Sequence, residues 1–240
     1  MRPLIDMDIA TYQCSFGGEI KEEDGTVTVL SFDYVAALID KLVADICLAV
    51  GGTETPILYL TGGGNFRDEV AVTKPYKGKE ADDAMSIEQM KEWGTVNATT
   101  VICTRDKDLR MIPGWHYGWE HGLQPEFFKQ WVDEFGTLEY NSDKNKITGT
   151  GMLFFYSQLI TGDTVDNIPG LPKKGPKAAW VALQEATTER EAFESCVELY
   201  KEVMGDDWET YLLEMGQLLW MCREVDGEGK PIMWRIPDGR

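Results

Sequence analysis

Apolar and polar positions along the chain follow two different rhythms. Short apolar runs stand at Pro3–Asp6 (PLID), Pro56–Thr61 (PILYLT) and Thr99–Thr104 (TTVICT), which is the length of strands buried on both faces. Between them the period lengthens. Val35, Leu38, Leu42 and Ile46 recur at helical spacing over residues 31–50, with Ser31 placed to cap the start and Gly51 beyond the end. A second helix is expected over 84–93. Residues 17–29 (GGEIKEEDG, then TVTVL) read as a β-hairpin or ordered loop, Phe127–Phe135 as an amphipathic stretch, and TLEY with KITG around Asn141–Asn145 as a hairpin. From Gly151 the pattern is helical over 151–161, 177–185, 189–204 and 207–223, before an extended PIMWRIP. Strands alternating with helices predict an α/β fold, a mainly parallel central sheet flanked by helices, over 1–150. A helical region follows over 151–240, and the two are expected to pack as one unit.

Carboxylates punctuate this pattern at particular places. Asp6, Asp106 and Asp108 fall just after expected strands, and Glu80, Asp82 and Asp83 (EADD) open a helix. Asp163 and Asp166 stand three apart in GDTVDNIPGLPKKGPKA, a spacing that sets two side chains on one face of a helical turn. In an open parallel sheet the functional crevice lies outside the carboxyl ends of the strands, so these eight acids are expected to converge there. They could not all ionise in one pocket without cations. Oxygen ligands without His or Cys select Mg²⁺ or Mn²⁺, and two such ions suit in-line phosphoryl displacement. The bland alternative is a set of solvated surface acids, since the chain holds 41 Asp and Glu.

Composition narrows the classes. A net charge of −18 is unusual for a nucleic-acid binder, so only the distribution of charge can speak for one. Basic residues do gather in two stretches. Residues 162–178 form a Pro/Gly-punctuated hairpin with Gly170, Lys173, Lys174, Gly175 and Lys177, and Pro176 suits the first position of a helix. Residues 62–79 set Arg67, Lys74, Lys77 and Lys79 beside Phe66 and Tyr76, a mixture that suits a nucleic-acid backbone and its bases. The 5 Cys are scattered without a CxxC pair, which reads as reduced thiols, and 2 His leave little room for a histidine metal site or a conventional triad. The start MRPLIDMD lacks the signal-peptide pattern, and no run is long and apolar enough for a membrane helix. A cytoplasmic protein is expected.

LIDMD, NFRDE, PYKGK, EADDAMSI, CTRDKDLRMIPG and TGDTVDNIPGLPKKGPKAA come in this order from Leu4 to about Ala179. In them the chain resembles the 5′-nuclease superfamily, which includes flap endonucleases, the 5′-nuclease domain of bacterial DNA polymerase I and phage 5′–3′ exonucleases; PGWHY after the D-x-D strand is most like the phage branch. The resemblance implies a PIN-like fold with a helix–three-turn–helix and a metal-dependent 5′–3′ exonuclease or flap endonuclease, acting on DNA 5′ ends or flaps, or RNA primers, in replication. It implies metal ligands at Asp6, Glu80, Asp82, Asp83, Asp106, Asp108, Asp163 and Asp166, with Asp106 and Asp163 essential to cleavage. Lys77 corresponds to a lysine beside the scissile phosphate. Arg67, Lys77, Gly170, Lys173, Lys174, Gly175 and Lys177 are expected to meet DNA, with K⁺ at the helix–three-turn–helix.

Two departures qualify the resemblance. LTGGGNFR has Gly62–Gly64 where the family usually carries another Asp. PYKGK runs straight into EADD, where the family inserts a basic arch and a strand. The expectation is that a segment is lacking between Lys79 and Glu80, which would then lie too far apart for a peptide bond. A DNA-structure-binding protein with weakened catalysis stays open as the alternative. A phosphatase-like enzyme does not account for the lysine-rich hairpin.

Overall fold

The computed structural model describes residues 1–63, 66–75, 81–95 and 98–237. The elements in order are β1 (Arg2–Asp6), α1 (Met7–Gly17), β2 (Glu19–Lys21), β3 (Val27–Val29), α2 (Phe32–Ala49), β4 (Ile57–Tyr59), α3 (Ala81–Met90), β5 (Thr100–Cys103), β6 (Gly114–Gly118), β7 (Phe127–Val132), β8 (Leu138–Asn141), β9 (Lys146–Gly149), α4 (Gly151–Thr161), α5 (Pro176–Leu183), α6 (Glu189–Met204) and α7 (Trp208–Leu219). The main sheet has the order β4-β1-β5-β6-β7. Its first four strands are parallel and β7 closes the edge antiparallel to β6. β2–β3 and β8–β9 are separate hairpins.

Strand alternation sorts the core into two faces. Leu4 pairs in register with Ile102, and both pack with Met85 of α3, Leu109, Ile112 and Met221. Ile5 pairs with Cys103, and both face Met7, Ala10, Ile46, Val50 and Val101, under α1 and α2. A third core joins α4 to α7, where Phe155, Tyr156, Leu159, Leu183, Cys196, Tyr200, Leu212 and Met215 are fully buried. Met221, just past α7, belongs to the sheet core, so the segment after α7 returns to the sheet.

The expected helices and strands appear with shifts of a few residues at their ends. The Ser31 hydroxyl caps α2 by accepting from the Tyr34 amide at 3.3 Å. α1 was not foreseen. Its buried positions are only Met7, Ala10 and Cys14, too weak a stripe to stand out beside exposed Tyr12 and Phe16. The amphipathic stretch at 127–135 is a strand in its first half. The largest correction concerns 162–168. α4 ends at Thr161, and Asp163 and Asp166 lie in the turn after it, not on a helical face. That turn is closed by the Asp163 amide on the Ile168 carbonyl (2.9 Å) and the Ile168 amide on the Asp163 carbonyl (2.7 Å). Gly162 (φ +71°) and Gly170 (φ +62°) touch back to back across its base: a Cβ on Gly170 would lie 2.2 Å from the Gly162 nitrogen, so both must be glycine.

Candidate metal centre

The acidic residues collect at the carboxyl edge of the parallel strands, each by a separate device. Asp6 ends β1 and caps α1, its Oδ1 accepting the amide of Asp8 at 3.0 Å, and its Oδ2 takes the Thr104 hydroxyl at 2.7 Å. Asp8 turns in the first turn of α1 and accepts the amide of Thr61, just past β4, at 3.1 Å. Asp106 and Asp108 follow β5, but not as an extended pair. The Asp106 amide donates to the Thr104 hydroxyl at 2.9 Å, and the Asp108 amide to Asp106 Oδ1 at 2.8 Å, so both acids sit in a tight turn. Asp82 opens α3. Asp163 is fixed by its own turn, Oδ1 accepting the Val165 amide at 2.8 Å.

These devices bring Asp6, Asp8, Asp82, Asp106 and Asp166, with Ile9 and Val165, around one cavity of about 210 Å³. Beside it, Asp108, Asp163 and Asp166 each place one carboxylate oxygen within 4.8 Å of the other two. Asp166 faces both groups. Burial raises Asp82 well above the ordinary carboxylate range, and the charges of Asp106, Asp6, Asp83 and Asp108 push it further. Burial likewise raises Asp6 and Asp106. Asp108 is pushed up to about 6 by burial and the Asp106 charge, and Asp166 to about 6 by burial and the charges of Asp108 and Asp163. Repulsion on this scale is what a bound cation relieves.

Lys107 is the exception to the acidic sign, and the sequence reading missed it. Its ammonium donates to Asp108 Oδ1 at 2.7 Å and to Asp163 Oδ2. Burial alone would raise Asp163, but the Lys107 hydrogen bond and charge hold it below its ordinary value. Gln158 of α4, also unforeseen, donates to Asp108 Oδ1 at 2.6 Å, while its buried Oε1 has no partner among the described residues. The tight turn explains the omission of Lys107: three consecutive side chains converge where alternation would have sent the middle one away.

Three expected roles are corrected. Arg67 was expected to meet DNA, yet it is 0% exposed. Its guanidinium forms a two-point pair with Asp83 and donates to the Gln217 (3.3 Å) and Trp220 carbonyls. Asp83, expected as a ligand, spends both oxygens on Arg67 and takes the Cys222 amide at 2.8 Å. It anchors α3 next to Asp82 and does not line the cavity. Gly170, also expected at DNA, is buried in the glycine contact described above, and its carbonyl accepts the Tyr211 hydroxyl at 2.8 Å. Lys77, Glu80 and the Lys79–Glu80 junction lie outside the described residues.

The lysine hairpin stands apart from the acids. Asn145, Lys173, Lys174, Gly175, Pro176 and Lys177 line an open cavity of about 780 Å³ at the start of α5. Lys174 is paired with Glu202 at 3.1 Å. Lys173 (φ +63°) and Lys177 are exposed, and neither has an ion-pair partner among the described residues.

Over 126 residues, 52% of its length, this chain is 31% identical to DNA polymerase I of Lactococcus lactis subsp. lactis, and over 130 residues it is 29% identical to DNA polymerase I of Lactococcus lactis subsp. cremoris. The matched stretch spans only 13% and 14% of those relatives' length. The chain resembles the 5′-nuclease superfamily. No family model matches it. Among solved structures it is similar to the bacteriophage T5 flap endonuclease in a pseudo-enzyme-product complex with DNA and metal ions, at 11% identity, covering 91% of this chain and 99% of that one with a TM-score of 0.45. It is also similar to the T5 D15 protein co-crystallised with metal ions, at 13% identity, covering 91% and 94% with a TM-score of 0.44. Those scores add nothing to the fold described above. No helix among the described residues is long and apolar enough to cross a membrane.

Proposed function

We propose that the chain is a divalent-metal-dependent 5′-nuclease that hydrolyses DNA phosphodiesters near 5′ ends or flaps, in phage DNA replication or primer removal. The observation that carries this reading is the meeting of Asp6, Asp82, Asp106 and Asp166 around one small cavity, with Asp108 and Asp163 at its side. The donor set fits hard cations: it is all carboxylate and crowded, and burial with mutual repulsion raises most of its members. Asp108, Asp163 and Asp166 would hold one Mg²⁺ or Mn²⁺, and Asp6, Asp82, Asp106 and Asp166 a second. Such ions supply charge stabilisation and water activation for in-line hydrolysis of a phosphodiester.

The chain's own residues divide the remaining work. The Asp106–Asp108 turn and the Asp163–Ile168 turn fix their carboxylates through backbone hydrogen bonds, so little reorganisation is left for the reaction. Lys173 and Lys177, with the amides at the start of α5, would hold duplex phosphates and set the distance from grip to cutting point, with K⁺ as an additional cation there. Lys77 is proposed to meet the scissile phosphate.

A duplex labelled at its 5′ end is the test. Release of label should require Mg²⁺ or Mn²⁺, stop in EDTA, and fall by at least about 10²–10³-fold in Asp106→Asn, the scale of losing one preorganised charge contact. Full activity of that variant, or of the parent in EDTA, would overturn the reading. Duplex binding without any cleavage would leave the DNA-structure-binding alternative.

A further inference from the structure

A second, larger cavity adjoins the acidic one, and it has a different lining. It measures about 500 Å³ and shares Ile9, Asp106, Val165 and Asp166 with the smaller cavity. Its far wall carries Arg105, Arg110 and Lys146. Arg105 precedes the 3-10 turn Asp108–Met111 after β5 and Arg110 lies within it, and both guanidiniums rest on the ring of Phe127, at 5.4 and 5.0 Å from its centre. Lys146 comes from β9.

Both arginines are held in place, and neither is neutralised. Arg105 donates to Gln124 Oε1 (2.8 Å) and the Pro125 carbonyl (3.3 Å), and Arg110 to Gln130 Oε1 at 2.7 Å. Those partners are neutral. No ion pair to Arg105, Arg110 or Lys146 exists among the described residues, in a chain with 41 Asp and Glu. Arg110 Nε is buried without a partner. Burial pulls both arginines below their ordinary pKa, and the Arg110 charge adds to that at Arg105. Glu139 adds a favourable charge at Arg110 without forming an ion pair, so the two neighbouring guanidiniums still lack a bonded counter-ion, which an anion in the cavity would supply. Forked donors on a flat aromatic support suit phosphate.

We propose that the Arg105–Arg110–Lys146 wall binds the phosphodiester backbone of the nucleic-acid strand that lies in the acidic centre, as a second grip separate from the Lys173–Lys177 hairpin. The proposal rests on the nuclease reading and adds where the strand runs. β9 places Lys146 on this cavity while the preceding Asn145 lines the cavity of the lysine hairpin. The β8–β9 hairpin thus borders both grips, and one strand can pass from α5 over Lys146 to the arginines and the acids.

The test compares the parent with the Arg105→Gln/Arg110→Gln/Lys146→Gln variant and with Lys146→Glu alone, whose exposed position spares the fold. Affinity for tailed duplex DNA is measured by anisotropy in EDTA over a salt series, and cleavage in Mg²⁺. The triple variant should bind at least tenfold more weakly and lose about two to three from the slope of log K against log salt, at ~0.7–0.9 per phosphate contact. Its KM should rise more than its kcat falls. Lys146→Glu should show the same pattern at smaller size. DNA and RNA tails of one sequence run in parallel: equal losses assign the wall to the shared backbone, and a loss on one alone assigns it to that polymer. Unchanged slope and KM in Lys146→Glu, or in a triple variant with parental circular dichroism, overturn the second grip while parental cleavage leaves the nuclease reading intact. A parent that binds DNA without cutting, with the slope still reduced in the variants, supports the grip although the nuclease reading fails.

Discussion

Asp106 and Asp163 stand in the same acidic centre, yet their surroundings push them in opposite directions. Burial raises Asp106, whose charge therefore works against the folded state near neutral pH. Asn at this position still offers an oxygen to the Asp108 amide, so Asp106→Asn should lose cleavage and melt at or above the parental temperature in EDTA. Asp163 is held low by Lys107. Asp163→Asn should lose cleavage as well, but melt below the parent in the same buffer. Thermal unfolding of the two variants side by side reads this directly, and equal shifts would refute the pairing with Lys107. Arg67 offers a third measurement. Its removal leaves Asp83 buried and unpaired, which typically costs about 3–5 kcal/mol, so Arg67→Met should unfold in markedly less urea. A loss confined to DNA affinity would restore the surface role expected from the sequence.

Elements formed where one signal dominated the local sequence. β1, β4 and β5 are short apolar runs, α2 has a capping serine and a clear stripe, and α4 is mostly apolar; all were readable. The acids at strand ends were readable for the same reason, because a parallel sheet sends its strand ends to one edge. Legibility failed where the deciding contact is distant. NFRDE looks like a basic-aromatic surface loop until Trp220 and Cys222, over 150 positions away, come to cover Arg67. Arg105, Arg110 and Lys146 are joined only by the fold, on Phe127 and β9. The lysine hairpin was legible as a turn leading into a helix that starts at Pro176, but not in its ion pairs. Lys174 already has Glu202, whereas Lys173 and Lys177 do not. Lys173→Ala/Lys177→Ala should therefore reduce the salt slope of duplex binding by nearly two, and Lys174→Ala by much less. Equal contributions from all three would show that the Glu202 pair opens on binding.

On the scale of the whole molecule, acidity and the proposed metal dependence are linked. Asp108 and Asp166 are both pushed up to about 6, against an ordinary value near 4. The folded state then keeps protons that the unfolded chain releases between about pH 4 and 6. Metal-free stability attributable to these groups is present at the acid end of that window and is lost as pH rises through 6. Melting in EDTA should accordingly show a loss between pH 4.5 and 7, and Mg²⁺ should restore stability at pH 7 much more than at pH 4.5. The same rescue at both pH values would mean that the ion binds away from these two carboxylates.

The clasp between Arg67, Asp83 and the Trp220–Cys222 segment has a consequence in time. α3, which carries Asp82, is tied down by residues that follow their partners by 153 and 139 positions. During synthesis the sheet, the two acidic turns and the lysine hairpin leave the ribosome well before those residues. A nascent chain can thus assemble the sheet and its acidic turns while one wall of the acidic cavity is still loose. The acidic cavity is closed only once Trp220 and Cys222 have emerged to hold α3.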